Sequence, residues 1–498
     1  MNWAINSRKC PHAGQALLIG MTVLLAIGAG CSDVDNGTIP ITTSSERARE
    51  YFRIARDLDE RLRPLEAKHY YQEALALDSN FALAYQYLAG TESKAERSLQ
   101  LLDQAASLIE GVSVGETLII RAALAENRGD RIKEQEYYRQ LVALHPADER
   151  AHNLLGNHYY FIQEWEQAII EYRKAIEIDP DYAPAYNGLG YAYSGLGNYE
   201  AAEKAFLSYI EIIPDDPNPY DSYAELLFRT GRFAESMVYY HKALQKNPYF
   251  LTAYVSMASV HNYLGQYTEA RAELTTMFDR ARTLAQQRMA YFAMAVSFAD
   301  DGNPDSALAQ IMKSHALAKE ARDIPAMAED LDNMGDILLE CGKNDEALRK
   351  YKQAVRLVEQ SSLARVIKET AEYTYHYNAA RATLRGEDLA PAVRHTEKFR
   401  ELIAATNDPL QDKLLHELKG TIALAEHEYE TALLELQMAN LQDPYNLLRL
   451  ARAYRGLDNR QKAEEMQQQF VTFYADNDLN YALLRGKSNK SLAAQEPE

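Results

Sequence analysis

Histidine, cysteine and glycine are the residue types in this 498-residue chain that could do chemistry, and spacing decides what each can do. His416-Glu417 and His427-Glu428 open as the two-histidine zinc helix does, with a glutamate beside the first ligand. That helix needs a second histidine four residues after the first, and positions 420 and 431 hold Gly and Thr. His145, His152 and His158 lie close in the chain, but the six-residue step between the last two turns them onto different sides of a helix. The string NGLGYAYSGLG has the glycine content of a phosphate loop. Its Gly188, Gly190, Gly195 and Gly197 do not spell G-x-G-x-x-G, and no strand precedes them. With no nucleophile, base and oxyanion donor in company, the sequence predicts no catalytic residue, no metal site and no cofactor. Among Cys10, Cys31 and Cys341, only Cys31 has a chemical setting, directly after Gly28-Ala29-Gly30. Cys341, beside Gly342, reads as a small, partly buried apolar residue.

The element that must position Cys31 is the N-terminal segment. Arg8 and Lys9, an apolar run from Ala16 to Ile27 and the small residues before Cys31 follow the order of a secretory signal. The run is shorter than the roughly 20 residues a spanning helix needs, so residues 1–30 read as a cleaved signal peptide. Ala29-Gly30-Cys31 resembles the lipobox of bacterial lipoprotein signals, with Gly28 where Leu is usual. The resemblance implies that Cys31 is the lipid attachment site of an exported, lipid-anchored envelope protein. Ser32, in place of Asp after the cysteine, further implies the outer membrane of a Gram-negative bacterium. Residues 31–44 then form a lipidated N-terminus and flexible tether.

Charge excludes other partners. Lys+Arg number 53 against Asp+Glu 72, a formal −19, so the basic stripe that nucleic acid requires is not expected. An anionic membrane surface is no better matched, and the anchor must supply any membrane contact.

The rest of the chain repeats. Pro146, Pro180, Pro214 and Pro248 stand 34 residues apart. With each proline set at position 32 of its unit, position 8 falls on Ala122, Gly156, Gly190, Ala224 and Ala258, all small. Position 20 falls on Ala168, Ala202, Ala270, Ala307, Ala347, Ala392 and Ala432. Aromatic residues recur at position 4 (Tyr186, Tyr220, Tyr254) and position 24 (Tyr172, Phe206, Tyr240, Tyr351). Two helices packed closely need small residues where their backbones approach and bulk around them, so each unit reads as two amphipathic helices. Gly197, Gly231, Gly265 and Gly342 fall just past the first helix, where a left-handed cap suits glycine.

These positions resemble the tetratricopeptide repeat, most fully at Leu155, Gly156, Tyr159, Ala168, Tyr172, Ala175 and Pro180, and again at Tyr186, Leu189, Gly190, Tyr193, Ala202, Phe206 and Pro214. The resemblance implies an all-α fold, a right-handed superhelix of about twelve antiparallel helix pairs. The expected organisation is a 34-period array over 45–282, a looser TPR-like array over 283–475 and a C-terminal extension and tail over 476–498. Longer second helices would absorb the wider spacing beyond 282, and residues 361–412 match the pattern least.

In this family the first helix of each pair lines the concave face, which places positions 2, 5, 9, 12 and 13 inward. The candidate binding residues are therefore Asn153, Asn157, Tyr160, Asn187, Tyr191, Asp221, Glu225, Ser259, Asn262 and Tyr263. Asn can pair with a peptide backbone whatever its sequence, and Tyr adds flat contact area. The carboxylate clamp some members carry needs Lys at position 5, which no unit here has. The function expected is a non-catalytic, lipid-anchored scaffold for protein partners, either extended peptide segments or envelope-complex subunits. The alternative is a polysaccharide-handling or envelope-assembly factor, with tyrosines as sugar platforms, or one that binds an outer-membrane machinery subunit.

Overall fold

A small side chain meeting an aromatic ring sets the helix pairing. In this computed structural model a Cβ on Gly156 would come within 2.7 Å of the Tyr172 ring, and one on Gly190 within 2.5 Å of Phe206. Position 8 thus lies against position 24, and glycine or alanine there lets the two backbones close over the ring. Tyr172, Phe206, Tyr240 and Tyr351 are fully buried this way. Each gains about 1.5–3 kcal/mol from leaving water.

The structure describes residues 37–404, 406 and 408–493, with side chains described to residue 487. These belong to one unit, Gly37–Glu498; the other, Met1–Asn36, contains the expected signal peptide and Cys31 and lies outside the described residues. The described residues form 25 helices and no strand. The first six pairs are α1 (Glu46–Glu60) with α2 (Pro64–Leu77), α3 (Ala82–Gly90) with α4 (Ala95–Ser107), α5 (Val114–Asn127) with α6 (Arg131–Leu144), α7 (Glu149–Phe161) with α8 (Trp165–Ile178), α9 (Ala183–Gly195) with α10 (Tyr199–Ile212), and α11 (Asn218–Arg229) with α12 (Phe233–Lys246). Six more follow: α13 (Leu251–Tyr263) with α14 (Tyr267–Arg280), α15 (Leu284–Asp300) with α16 (Pro304–Glu320), α17 (Ile324–Glu340) with α18 (Asn344–Glu359), α19 (Arg365–Arg385) with α20 (Leu389–Ile403), α21 (Pro409–Ala425) with α22 (Tyr429–Met438), and α23 (Pro444–Gly456) with α24 (Arg460–Val471). A last helix, α25 (Leu479–Ala493), packs back on α15 and α17.

The turn glycines adopt the left-handed conformation expected of them, with φ of 74° at Gly197, Gly231 and Gly342 and 71° at Gly265. Gln163, Arg322, Glu387, His427 and Asp458 hold similar conformations without glycine's freedom. The corner between units carries a bond the aromatic pattern alone did not predict. The hydroxyls of Tyr186, Tyr220 and Tyr254 donate to the carbonyls of Pro180, Pro214 and Pro248 at 3.0, 2.9 and 3.3 Å. His152, which replaces the aromatic at position 4, places Nε2 3.2 Å from the Pro146 carbonyl.

Four expectations are corrected. Residues 39–44, read as flexible tether, are docked: the Ile39, Thr42 and Ser44 amides each donate at 2.7 Å to Asp148, Glu116 and Asp78. Three carboxylates at helix starts and ends satisfy this backbone, while Ile39 and Ile41 join the apolar core. Beyond 282 the first helices lengthen as well as the second, since α15, α16 and α17 have 17 residues each where α13 has 13. Much of the segment 476–498, read as extension and tail, is the helix α25, because Leu479, Ala482 and Leu483 are buried against Ala295, Val296 and Ala299. Cys341 caps the end of α17 and is exposed rather than partly buried.

Candidate functional site

The inner residues of α7 to α13 are largely engaged within the chain. Asn157 accepts from the Tyr172 hydroxyl at 2.8 Å, so position 24 reaches through to position 9. Tyr160 meets Trp165 and Tyr191 edge to face, with ring centroids 5.2 and 6.3 Å apart. Tyr191 donates to Glu225 at 2.9 Å, and Glu225 also pairs with Arg229 at 2.9 Å. Burial, then the Glu225 charge, pushes both the Tyr191 hydroxyl and the Asp221 carboxyl well above their ordinary pKa values. Asn262 accepts from Ser297 at 2.8 Å. Asn153 and Asn187 each keep a side-chain oxygen buried and without a hydrogen-bond partner. Tyr160, Tyr191, Asp221 and Glu225 therefore form one linked cluster, and Asn153, Asn157 and Asn187 stand apart from it.

Ser259 and Tyr263 are occupied by residues 473–478, between α24 and α25. The Tyr263 hydroxyl donates to the Ala475 carbonyl at 3.2 Å and accepts from the Ala475 amide at 2.9 Å. Ser259 accepts from the Asn477 amide at 3.3 Å. Beside this segment lies a hollow of about 270 Å³ walled by Tyr160, Trp165, Tyr191, Arg229, Tyr474 and Asp476.

A second hollow, about 770 Å³, is elsewhere, between α17, α19, α21 and α23. Carrying the register of Gly335, Ala380, Gly420 and Ala451 at position 8 through these helices, its lining falls on inner positions. Position 5 gives Asp332, Tyr377, Glu417 and Leu448; position 9 gives Asp336, Arg381, Thr421 and Arg452. Neighbouring units pair across the wall: Arg381 with Asp336 at 3.1 Å, Arg449 with Glu417 at 3.1 Å and Arg385 with Glu340. Glu417 is buried and further accepts from the Tyr377 hydroxyl at 3.0 Å. These pairs hold adjacent helices in register and leave the space between them open.

Two carboxyls facing the hollow titrate high. Burial, then the charge of Asp336, raises Asp332 to about 8. Burial, then Glu417, raises Asp443 to about 6. Arg452 is exposed at the rim. Among the described residues no group of His, Cys, Asp or Glu is arranged to hold a metal ion; His152 pairs with Glu171 at 2.6 Å and His416 with Glu435 at 2.6 Å.

None of the lining of this hollow was among the predicted site residues. The signal was present, because Ala347, Ala392 and Ala432 at position 20 already fix the register, and counting back twelve gives Gly335, Ala380 and Gly420.

Stacked helix pairs closing small residues over buried rings define a helical repeat scaffold. Family models described as TPR repeat, tetratricopeptide repeat and tetratricopeptide repeat-like domain match residues 156–197, 183–216 and 229–372. The chain carries tetratricopeptide repeats, and these support a scaffold for protein–protein interaction. Among solved structures it is similar to the APC/C hetero-tetramer Cut9-Hcn1, with 14% identity, 88% of this chain and 79% of that chain covered, and a TM-score of 0.42. It is also similar to YrrB, a TPR protein with an unusual peptide-binding site, with 20% identity, 38% and 98% covered, and a TM-score of 0.26. No curated protein matches the sequence.

Proposed function

We propose that this protein is a non-catalytic scaffold, anchored by lipid on Cys31 to a bacterial envelope, that holds a protein partner in the hollow between α17 and α23. The observation carrying this reading is the convergence of inner positions from four successive repeats on one open space, about 770 Å³, with charged and aromatic walls. Contacts from four helices to one partner segment are multivalent, so modest individual contacts sum without any covalent step. The repeats support the absence of catalysis, since proteins built of them are generally non-catalytic scaffolds.

The polysaccharide alternative draws less support. A sugar platform needs an open ring face, and Arg485 lies 3.4 Å over Tyr263 while Tyr160 sits among Trp165, Phe161 and Tyr191.

A photo-crosslinking amino acid at Thr421 or Leu448, introduced in cells, should give a discrete protein adduct, and one at Leu434, 68% exposed on α22, should not. Adducts from Leu434 alone would remove the reading. Fatty-acid analogue labelling of wild type and Cys31→Ser tests the anchor separately; equal label in both removes it.

A further inference from the structure

Residues 473–478 run without helix between α24 and α25, and they lie on inner-face residues of the same repeat positions that a bound peptide would use. Tyr474 enters a box of Phe228, Phe233 and Tyr263, with ring centroids 6.2, 5.1 and 5.2 Å away. The Tyr263 and Ser259 bonds read the backbone of Ala475 and Asn477, which any residue could supply. Asp476 accepts from Ser256 at 2.8 Å, and its other oxygen is buried without a partner. Side-chain recognition thus falls on two residues, an aromatic and, two positions later, an acid.

This segment, with the first residues of α25, also divides the inner face. Asp478, Asn480 and Tyr481 wall the 770 Å³ hollow, Asp476 and Asn477 wall a second of about 330 Å³, and Phe473 to Asp476 wall the third of about 270 Å³. Three of the hollows are therefore bounded by one stretch of backbone that belongs to no repeat.

We infer that the inner face of α11 and α13 is a second binding site, for an extended partner segment carrying an aromatic residue two positions before an acidic one, and that residues 474–476 fill it in cis. A partner segment of that chemistry takes the place of Tyr474 and Asp476 and joins the hollows into one continuous groove. The inference rests on the scaffold reading and adds a site with its own ligand chemistry.

The probe is a fluorescent peptide with the sequence of residues 472–480, TFYADNDLN, and the readout is anisotropy. A tethered occupant competes at millimolar effective concentration, so the full chain with Tyr474→Ala and Asp476→Ala together should bind the peptide about tenfold or more tightly than wild type. A peptide with both residues changed to Ala should not bind. No binding by a double variant with wild-type helicity and melting temperature overturns the inference, as does equal binding of the Ala peptide. Should that variant fail to fold, wild-type chain with saturating peptide must show faster amide exchange at 473–478 and unchanged exchange in α21; no change overturns the proposal. Thr421 crosslinks without peptide binding would leave the scaffold reading intact and remove only this site.

Discussion

The inner faces of α7–α13 and α17–α23 share a register and differ in what fills them. In the first, inner side chains bond to one another and to residues 473–478, as Tyr191 does to Glu225 and Ser259 to Asn477. In the second, long charged side chains pair sideways across units, Arg381 to Asp336 and Arg449 to Glu417, and leave 770 Å³ between them. Register sets which way a residue faces. Whether space remains depends on side-chain reach and on chain outside the repeat.

The largest effect should come from the contact common to both regions. Tyr172→Ala and Tyr351→Ala each remove a fully buried ring, and each should cost about 3–5 kcal/mol locally. Hydrogen exchange should show the loss confined to adjacent repeats, as expected where each repeat touches mainly its neighbours. A cost at Tyr351 well below that at Tyr172 would break the equivalence of the two halves.

The ion pairs should separate the regions. Glu417→Ala leaves Arg449 facing a desolvated wall and should cost roughly 3 kcal/mol. Glu225→Ala, in a pair whose side chains are 21% and 42% exposed, should cost about 1 kcal/mol or less. Equal losses in denaturant titration would show that the open hollow is no drier than the filled face.

The turns provide a finer test. Gly197→Ala has open space around its Cβ, so its cost of about 1 kcal/mol would be that of the left-handed backbone alone. Glu387→Gly, at φ 58°, should gain up to about 1 kcal/mol. Melting temperatures moving in opposite directions would check both.

A separate effect is one of pH. The Asp332 carboxyl holds its proton to about pH 8 in the folded chain against 3.8 ordinarily. The folded state therefore binds the extra proton across that window, and the stability this group contributes falls as pH rises from about 4 to about 8. Asp332→Asn should flatten stability between pH 5 and 8; an unchanged slope would place Asp332 in water.

Most of the fold was legible because a 34-residue period states the helix pairing outright. Gly156 and Gly190 announced the close approach to Tyr172 and Phe206, and Gly197, Gly231 and Gly265 announced the turns. The docked residues 39–44 and 473–478 were not legible, since they repeat nothing and bond mainly through backbone amides that no side-chain pattern records. The hollow of α17–α23 was half legible: its charged lining follows from the position-20 alanines, but the wider spacing beyond 282 hid the alignment. Tyr186, Tyr220 and Tyr254 were legible as bulk and not as donors, because the proline carbonyls they reach are a matter of geometry.

Those hydroxyl-to-carbonyl bonds have a mechanical consequence. Each ties the rim of one unit to the start of the next, so α9, α11 and α13 cannot hinge against their predecessors without stretching it. In α17 the corresponding residue is Leu331, which has nothing to donate, and in α19 and α21 it is His376 and His416, engaged with His395 and Glu435. Under load the array should behave as a stiff spring joined to a soft one, with the extension taken up in the later coils.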